Sequence, residues 1–293
     1  MIDLHLHTTA SDGRLAPAQL VARVAAAGLT TISVTDHDTV AAIAEVTEAA
    51  NGVNIRVVPG IEITAVDDGR DVHMLGYFFD PFSTTLAAVL ERQRALRVAR
   101  VEAIGERLAA LGMPIDVEKV LLAAAVRPGS SVGRPQVARE LVRAGYVTSV
   151  QDAFDKWLAT GRPAFIPRTG PSPAAIVDTI HGAGGVASMA HPAVTRRDEL
   201  IAPLVEHGMD AIEVYHSDHS PEDQQLYKAM AQRLGALVSG GSDFHGDDTT
   251  LNPSRTRRSS LGVVSLPPNA FAALEKKAAS IRLKADTTGS ERE

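Results

Sequence analysis

The sequence contains no cysteine, and this absence limits the chemistry that the protein can use. Disulfide bonds, thiolate zinc sites and a cysteine nucleophile are excluded, so any metal ion must be bound by His, Asp or Glu. No uncharged apolar run approaches the roughly 18 residues that cross a bilayer. The stretch that comes nearest is broken by Pro267 and Pro268. The start of the chain also lacks the basic and apolar segments of a signal peptide. We therefore expect a cytoplasmic protein that does not bind membranes.

Charge is unevenly distributed along the 293 residues, of which 45% are hydrophobic and 22% are charged. Such a composition is ordinary for a globular protein and allows a sizeable core. The formal net charge of −6 argues against a broad nucleic-acid-binding surface, so we expect no stable binding of duplex nucleic acid. Residues 83–168 are nevertheless basic, with 13 Lys and Arg residues against 8 Asp and Glu residues. This segment could help to collect an anionic substrate, although a solvated helix surface explains it about equally well.

Short apolar segments that end in polar residues alternate with amphipathic segments over most of the chain. The β-rich segments predict strands at residues 1–7, 31–35, 55–59, 72–79, 186–190, 211–215 and 236–239. Helical spacing of apolar residues, with a glycine just past each end, predicts helices at residues 17–27, 40–50, 173–183, 199–207 and 221–234. Alternating strands and helices indicate a mainly parallel, barrel-like α/β domain.

Residues 83–167 interrupt this alternation, because their pattern is helical throughout. The predicted helices of this segment are residues 86–111, 117–125, 135–144 and 150–160. We interpret the segment as an inserted helical subdomain that divides the barrel domain into residues 1–82 and 168–284. Residues 285–293 are polar, and we expect them to form a frayed C-terminal tail.

Histidine and carboxylate residues stand at the ends of the predicted strands. His5 and His7 are two residues apart on the first strand, so their side chains point to the same side and can share one metal ion. Asp243 and His245 repeat this spacing after the seventh strand. In a closed barrel the first and last strands are neighbours, so both pairs would meet at the rim where barrel active sites lie. Together with other strand-end residues they give nine candidate ligands: His5, His7, Asp12, His37, Glu62, His73, His191, Asp243 and His245.

Nine ligands exceed the three or four that one catalytic zinc ion takes, so we expect two or three ions. Mixed imidazole and carboxylate ligands suit zinc, manganese or iron and do not decide among them. A single histidine is more often a surface or core residue than a ligand, but this does not explain why so many gather at strand ends. His181 and His207 lie on predicted helices, and we assign them no role in the site.

The combination of these motifs resembles the polymerase and histidinol phosphatase (PHP) family of phosphoesterases, over nearly the whole chain up to about Gly246. The segments that carry the resemblance, besides the isolated His73, are His5-Leu6-His7, Thr35-Asp36-His37-Asp38, Gly60-Ile61-Glu62, Ala190-His191-Pro192 and Gly241-Ser242-Asp243-Phe244-His245-Gly246. The resemblance implies an α/β fold, a distorted seven-stranded (β/α) barrel, with a centre of three divalent metal ions.

Carried over position by position, the resemblance divides the nine ligands among the three ions. The ligands of the first ion are implied to be His5, His7, Glu62 and Asp243. The second set is implied to be Glu62, as a bridge, with His73 and His191. The third set is implied to be Asp12, His37 and His245.

The helical insertion resembles one PHP subgroup, which dephosphorylates nucleoside 3′,5′-bisphosphates and trims short RNA from its 5′ end. Arg134 stands where that subgroup places an arginine for substrate phosphate, although a helix cap or an ion pair would also account for it. Gln136 stands where the resemblance leads us to expect histidine, which leaves the fine substrate preference open.

Metal ions at such a site would offset the charge of a phosphate group and lower the pKa of a bound water. We therefore expect a metal-bridging hydroxide to attack phosphorus in line with the leaving oxygen, without a covalent intermediate, and Glu62 to be essential as the bridging ligand. His216 and His219 follow the sixth strand and are candidates to orient the phosphate or to protonate the leaving group. Arg134 would hold a second phosphate of a nucleotide or short oligonucleotide.

The first hypothesis for the function is hydrolysis of the 3′-phosphate of a nucleoside 3′,5′-bisphosphate, such as adenosine 3′,5′-bisphosphate to AMP and phosphate. Two enzymatic alternatives are a 5′-3′ exoribonuclease acting on short 5′-phosphorylated RNA and a histidinol-phosphate phosphatase. A noncatalytic alternative is a degenerate metal-binding accessory domain. Domains of that kind tend to lose ligands, whereas all nine positions are occupied here.

Overall fold

The computed structural model describes residues 1–125, 131–246 and 260–289. Seven strands form one sheet in chain order and enclose a barrel-like α/β body, as expected. The strands are β1 (Ile2–Leu6), β2 (Thr31–Val34), β3 (Arg56–Asp67), β4 (Arg70–Tyr77), β5 (Val186–Met189), β6 (Ala211–His216) and β7 (Leu237–Gly241). The helices that follow or precede these strands are α1 (Pro17–Ala26), α2 (Ile43–Asn51), α7 (Pro173–Gly182), α8 (Pro192–Thr195), α9 (Ile201–His207), α10 (Pro221–Leu234) and α11 (Pro268–Gly289).

The fourth strand departs from the parallel arrangement that the sequence pattern indicates. β4 pairs antiparallel with both β3 and β5, whereas the other neighbouring strands pair in parallel. The cause is a tight hairpin, in which Asp68 and Gly69 both have positive φ angles and join β3 directly to β4. β3 is therefore much longer than the predicted residues 55–59. Because β4 runs in the opposite direction, its beginning, and not its end, lies at the rim of the barrel.

The barrel closes through the residues that follow β7. Leu6 forms a parallel bridge with Phe244, and the Asp243 amide donates a hydrogen bond of 2.8 Å to the His5 carbonyl. The His7 amide in turn donates to the Phe244 carbonyl at 3.0 Å. These backbone bonds hold the two pairs of spaced polar residues against each other, as the sequence predicts for a closed barrel.

One outer helix was not predicted. α11 packs Phe271 and Leu274 against Leu4 and Leu75 of the barrel and thereby completes one of its apolar layers. The helical backbone extends to Gly289, and residues 290–293 lie outside the described part. The fraying of residues 285–293 stays a prediction. Within the described residues, no helix is both long and apolar enough to cross a membrane.

The segment between β4 and α7 is helical, in agreement with its pattern. It consists of α3 (Thr84–Ala110), α4 (Val117–Ala124), α5 (Arg134–Arg143), α6 (Val150–Ala153) and a π-helical turn (Phe154–Leu158). A separate apolar cluster joins these helices, with Ile104, Leu108 and Leu141 among its buried members. The first turns of α3 instead pack Leu86 and Leu90 into the barrel core. We therefore propose that residues 83–167 form a subdomain that α3 anchors to the barrel.

Candidate metal centre

Glu62 lies at the centre of a histidine cluster in the mouth of the barrel. It is completely buried on β3, and each of its carboxylate oxygens faces a different group of imidazoles. Oε2 lies 3.2–3.3 Å from ring nitrogens of His5, His7 and His37. Oε1 lies 2.8 Å from His73 Nδ1 and 3.0 Å from His191 Nε2. A carboxylate with this arrangement can be shared between two neighbouring cations.

The seam of the barrel adds a second carboxylate to the first pair of histidines. Asp243 Oδ1 lies 3.1 Å from His7 Nε2 and 3.5 Å from His5 Nε2, beside Glu62. Ligand atoms of these four residues all lie within 4.8 Å of one another, and all four residues are buried. Asp243 has a φ angle of 55°, an uncommon conformation for a residue with a side chain. The hydrogen bond from its amide to His5 stabilises this conformation at the seam.

Asp12 brings a third group of residues together at the edge of the cluster. Its carboxylate lies 3.2 Å from His245 Nε2, 3.8 Å from His7 Nδ1 and 3.9 Å from His37 Nε2. Asp36 stabilises the loop that carries Asp12, because its buried carboxylate accepts hydrogen bonds from Thr8 and Ser11 of that loop. The loop position of Asp12 is therefore set by a side chain from the end of β2.

All nine predicted ligand residues lie in this cluster. The predicted first set lies together as expected, and the predicted third set lies together with His7 added to it. In the predicted second set, His73 and His191 both contact Glu62 Oε1, while the compact group around His73 also includes His37. The antiparallel direction of β4 explains how a residue near the beginning of a strand reaches the rim.

The cluster also contains nitrogen atoms that the protein itself does not satisfy. Both ring nitrogens of His7 and Nδ1 of His37 are buried without a hydrogen-bond partner among the described residues. Buried polar atoms normally have a partner, and orphaned imidazole nitrogens beside carboxylates form a suitable donor set for Zn²⁺, Mn²⁺ or Fe²⁺. The residues present therefore fit divalent cations.

Burial and mutual charge determine which groups of the cluster are ionised. Burial alone would raise the pKa of Glu62, but the surrounding histidines, above all His37 and His73, hold that pKa well below its usual range. Burial lowers the pKa of His37 to about 3. Near neutral pH, Glu62 is thus an anion and His37 is neutral. Asp243 and Glu62 raise the pKa of His7 to about 10 against the effect of burial, so a cation that binds His7 must displace a proton.

His216 and His219, predicted as loop histidines, are both buried. His216 is the last residue of β6, and its Nε2 faces Asp243 Oδ2 at 3.4 Å while its Nδ1 accepts a hydrogen bond from the Asp218 amide. His219 Nδ1 donates to the Val214 carbonyl at 2.8 Å. Burial lowers the pKa of His216 to about 4 and also lowers that of His219. Neutral rings of this kind do not favour the predicted role as proton donors.

An arginine-lined pocket of about 420 Å³ adjoins the metal cluster. Arg134, the first residue of α5, contacts Asp71 at 3.4 Å, and Phe165 and Arg100 line the same pocket. Arg168 approaches Asp71 from the other side at 3.6 Å. The pocket therefore carries more positive than negative charge. Asp71 precedes the candidate ligand His73 by two residues on β4, which places the pocket directly beside the cluster.

Gln136 connects the insertion to the metal-site loop. Its amide oxygen accepts a hydrogen bond from the Gly133 amide, and its amide nitrogen donates to the Ser11 carbonyl at 3.1 Å. Ser11 directly precedes the candidate ligand Asp12. The residue that differs from the expected histidine thus holds the two parts of the chain together.

Sequence reasoning missed two buried carboxylates that support the cluster. Glu213 lies inside β6 between apolar residues, 3.0 Å from His5 Nδ1, and an acidic residue in such an apolar run was the available signal. Asp38, next to His37, is also completely buried, and Arg97 of α3 donates a 2.5 Å hydrogen bond to it. Nothing in the local pattern around Arg97 indicates this distant partner. His181 and His207, assigned no role, contact Asp210 and Asp178 away from the cluster.

Comparisons with known proteins agree with this geometry. The family profile described as PHP domain matches residues 3–125. The chain is 36% identical over 250 residues to the 5'-3' exoribonuclease Rnm of Escherichia coli (strain K12), covering 83% of this chain and 84% of the relative. The chain belongs to the PHP family. It is accordingly an enzyme that hydrolyses phosphoester bonds, within a family of metal-dependent phosphoesterases.

Two further similarities extend this result. The 3',5'-nucleoside bisphosphate phosphatase of Chromobacterium violaceum is 33% identical over 252 residues, covering 83% of this chain and 87% of the relative. A solved structure from Bifidobacterium adolescentis, described as a metal-dependent phosphoesterase, matches with a TM-score of 0.82 and 33% identity. The match covers 93% of this chain and 94% of that chain. The PHP similarity thus extends over the barrel and the helical insertion together.

Proposed function

We propose that this PHP enzyme removes the 3′-phosphate of nucleoside 3′,5′-bisphosphates, with adenosine 3′,5′-bisphosphate as a representative substrate. The observation that carries the proposal is the arginine-lined pocket beside the histidine cluster. Asp71 and His73 mark the two sites and are separated by about 7 Å along β4, a distance that one ribose with phosphates on C3′ and C5′ can span. The relative from Chromobacterium violaceum is named for this activity.

The nine clustered residues would bind three divalent cations of Mn, Zn or Fe. When bound, such cations supply charge neutralisation for phosphate oxygens and lower the pKa of water. The protein contributes the positions of these ligands, because Glu62 is held in a strand and Asp12 in a braced loop. Glu62 is completely buried at the centre of the cluster and is a predicted ligand of both the first and the second ion. Loss of this one side chain would therefore affect more than one cation.

The insertion would bind the phosphate that is not cleaved. Arg134 and Arg100 line the pocket, and their guanidinium groups suit the bidentate recognition of phosphate oxygens. Burial lowers the pKa of Arg100 to about 10, which still leaves it charged near neutral pH. Phe165 presents an aromatic ring beneath both arginines. A substrate with a second phosphate would consequently bind more tightly than a simple phosphomonoester.

His219 remains a candidate for phosphate orientation. Its Nδ1 donates to a backbone carbonyl, and its Nε2, which is buried without a partner among the described residues, would donate a hydrogen bond to a phosphate oxygen only when it is protonated. His216 faces the carboxylate of Asp243. Phosphate orientation and leaving-group protonation by these two residues stay predictions, and their lowered pKa values favour hydrogen bonding over proton donation near neutral pH.

A 5'-3' exoribonuclease is the second candidate, and the shape of the arginine pocket favours it in one respect. The pocket is open to solvent, so a 5′-phosphate could bind there while the remaining chain extends outward. An aromatic ring beside arginines is also suited to stacking with a base. The Escherichia coli relative carries the name of this activity.

A panel of three substrates in one manganese-supplemented assay separates the candidates. Adenosine 3′,5′-bisphosphate, a short 5′-phosphorylated RNA and histidinol phosphate are compared at equal concentrations, with products identified by chromatography. We expect the bisphosphate to give AMP and phosphate with the highest kcat/KM, and histidinol phosphate to give the lowest. Faster release of mononucleotides from the RNA would favour the exoribonuclease. If all three stay intact while metal is bound, the proposed function is wrong.

A further inference from the structure

Glu213 touches two histidines that belong to different predicted metal sets. The residue is completely buried inside β6. Its Oε1 lies 3.0 Å from His5 Nδ1, and its Oε2 accepts a 2.7 Å hydrogen bond from the backbone amide of His191. His5 belongs to the first set and His191 to the second. One carboxylate on β6 therefore contacts both a residue of β1 and a residue that follows β5.

The contact with His5 fixes which ring nitrogen can bind a cation. A carboxylate accepts hydrogen bonds, so Nδ1 keeps a proton that points to Glu213, and Nε2 is the nitrogen that would lose its proton to bind a cation. His5 Nε2 is the nitrogen that faces Glu62 at 3.2 Å and Asp243 at 3.5 Å. An imidazole oriented in this way by a buried carboxylate is the arrangement that metal-binding histidines commonly show.

The contact with His191 stabilises an uncommon backbone conformation. His191 has a φ angle of 26°, which residues with a side chain rarely adopt, and it is followed by Pro192 at the start of α8. The hydrogen bond from its amide to Glu213 holds this turn, from which the imidazole reaches Glu62 Oε1 at 3.0 Å. Without that acceptor, a buried amide would lose its partner and the turn could relax.

We propose that Glu213 is a positioning residue that orients His5 and His191 together and thereby couples the two metal sites. Glu213 lies close enough to His5 and His216 to be considered a ligand itself, but both of its oxygens are already engaged by donors. The proposal rests on metal binding by the cluster, as in the proposed function. It does not depend on which phosphoester is the substrate.

The substitution Glu213→Gln tests the proposal with little change in side-chain volume. An amide has one accepting oxygen and one donating nitrogen, so it cannot accept hydrogen bonds from both His5 Nδ1 and the His191 amide. We expect the dissociation constant for Mn²⁺, measured by calorimetry on the metal-free protein, to rise ten- to hundredfold, the effect typical of groups that orient ligands. We further expect at least two ions per chain to be weakened together.

Asp210 provides a control outside the cluster, because its carboxylate also contacts a histidine ring nitrogen and a backbone amide. Its Oδ2 lies 2.7 Å from His181 Nε2 and accepts a 2.9 Å hydrogen bond from the Ala187 amide. Asp210→Asn should lower the unfolding temperature of the metal-free protein and leave Mn²⁺ affinity unchanged. A purely structural role for Glu213 predicts the same pattern for both variants.

Wild-type Mn²⁺ affinity in folded Glu213→Gln would overturn the proposal, and so would weakening of a single ion. Circular dichroism establishes folding first. If Glu213→Gln does not fold, Glu213→Asp takes its place, since it keeps the buried charge but is too short to reach both donors, and the same outcomes decide. Metal affinity is read directly, so a chain that binds Mn²⁺ but hydrolyses no bisphosphate would refute the proposed function and leave this test valid.

Discussion

The two halves of the site, the histidine cluster and the arginine-lined pocket, differ in how the fold holds them. The cluster residues lie on strands or on loops braced by buried carboxylates, and Glu62 at their centre is completely buried. The pocket is formed by arginines of α3 and α5 against the start of β4, and the side chain of Arg134 is 22% exposed. A buried centre suits bond cleavage, whereas a partly exposed charged pocket suits substrate selection. The two parts should therefore respond differently to substitution.

The largest difference is expected from Glu62→Ala. Removing the carboxylate leaves five histidines without their common partner and removes the group shared between two metal sets. The kcat for adenosine 3′,5′-bisphosphate should fall by at least about 1,000-fold, the upper range for loss of a single group that stabilises the transition state. Metal analysis should show fewer ions per chain. The exposed Glu206→Ala is the matched control, and near-wild-type turnover in metal-loaded Glu62→Ala would contradict the bridging role.

The next largest effect is a loss of stability at the ion pair between Arg97 of α3 and Asp38 of the barrel. Arg97 of α3 donates to the buried Asp38, so Arg97→Gln removes the nearer of two arginine partners and leaves the anion with Arg168 at 3.9 Å. Loss of one member of a buried ion pair costs about 3 kcal/mol in the free energy of unfolding, which chemical denaturation measures. Arg94→Gln, whose partner Glu91 is exposed, should change that free energy by only a few tenths of a kcal/mol. Equal destabilisation by the two variants would show that Asp38 does not depend on Arg97.

A more selective effect is expected in the arginine pocket. Arg134→Gln should raise KM for adenosine 3′,5′-bisphosphate about ten- to hundredfold with little change in kcat, since a hydrogen bond to a charged group contributes roughly 1.5–3 kcal/mol. A phosphomonoester without a second phosphate should show no such penalty. Arg143→Gln, on the same helix but with an exposed side chain that pairs with Glu140, serves as the control. An equal rise in KM for both substrates would show that Arg134 does not recognise the second phosphate.

The smallest effect is expected at Gln136. Gln136→Ala removes the hydrogen bonds to Gly133 and Ser11 that attach the insertion to the metal-site loop. Thermal and chemical unfolding should show a loss of about 1 kcal/mol, with the substrate order unchanged. Gln151→Ala, which removes an exposed contact with Asp155, provides the reference. A change in the preferred substrate would instead place Gln136 within the substrate-binding surface.

The sequence was most informative where chemistry follows local spacing. His5 and His7 are two residues apart on one strand, and alternation alone places both rings on the same side. The helical insertion was likewise evident, because its apolar spacing differs from that of the barrel. These features depend on neighbouring residues, and the structure agrees with them closely.

Features that depend on distant partners were not predicted. The antiparallel direction of β4 follows from the hairpin at Gly69, and the predicted third strand ends before that hairpin. Glu213 has its partners on β1 and beyond β5, and Arg97 finds Asp38 across 59 residues. A single sequence gives the residue type at each of these positions but not the contact. These contacts were for this reason visible only in three dimensions.

Anomalous diffraction from a crystal of the wild-type protein grown with Mn²⁺ tests the central claim most directly. The account predicts three anomalous peaks in the mouth of the barrel, with Glu62 between two of them and Asp12 beside the third. His216 and Glu213 should lie outside direct coordination. Peaks elsewhere, with none within bonding distance of Glu62, would contradict the metal centre described here.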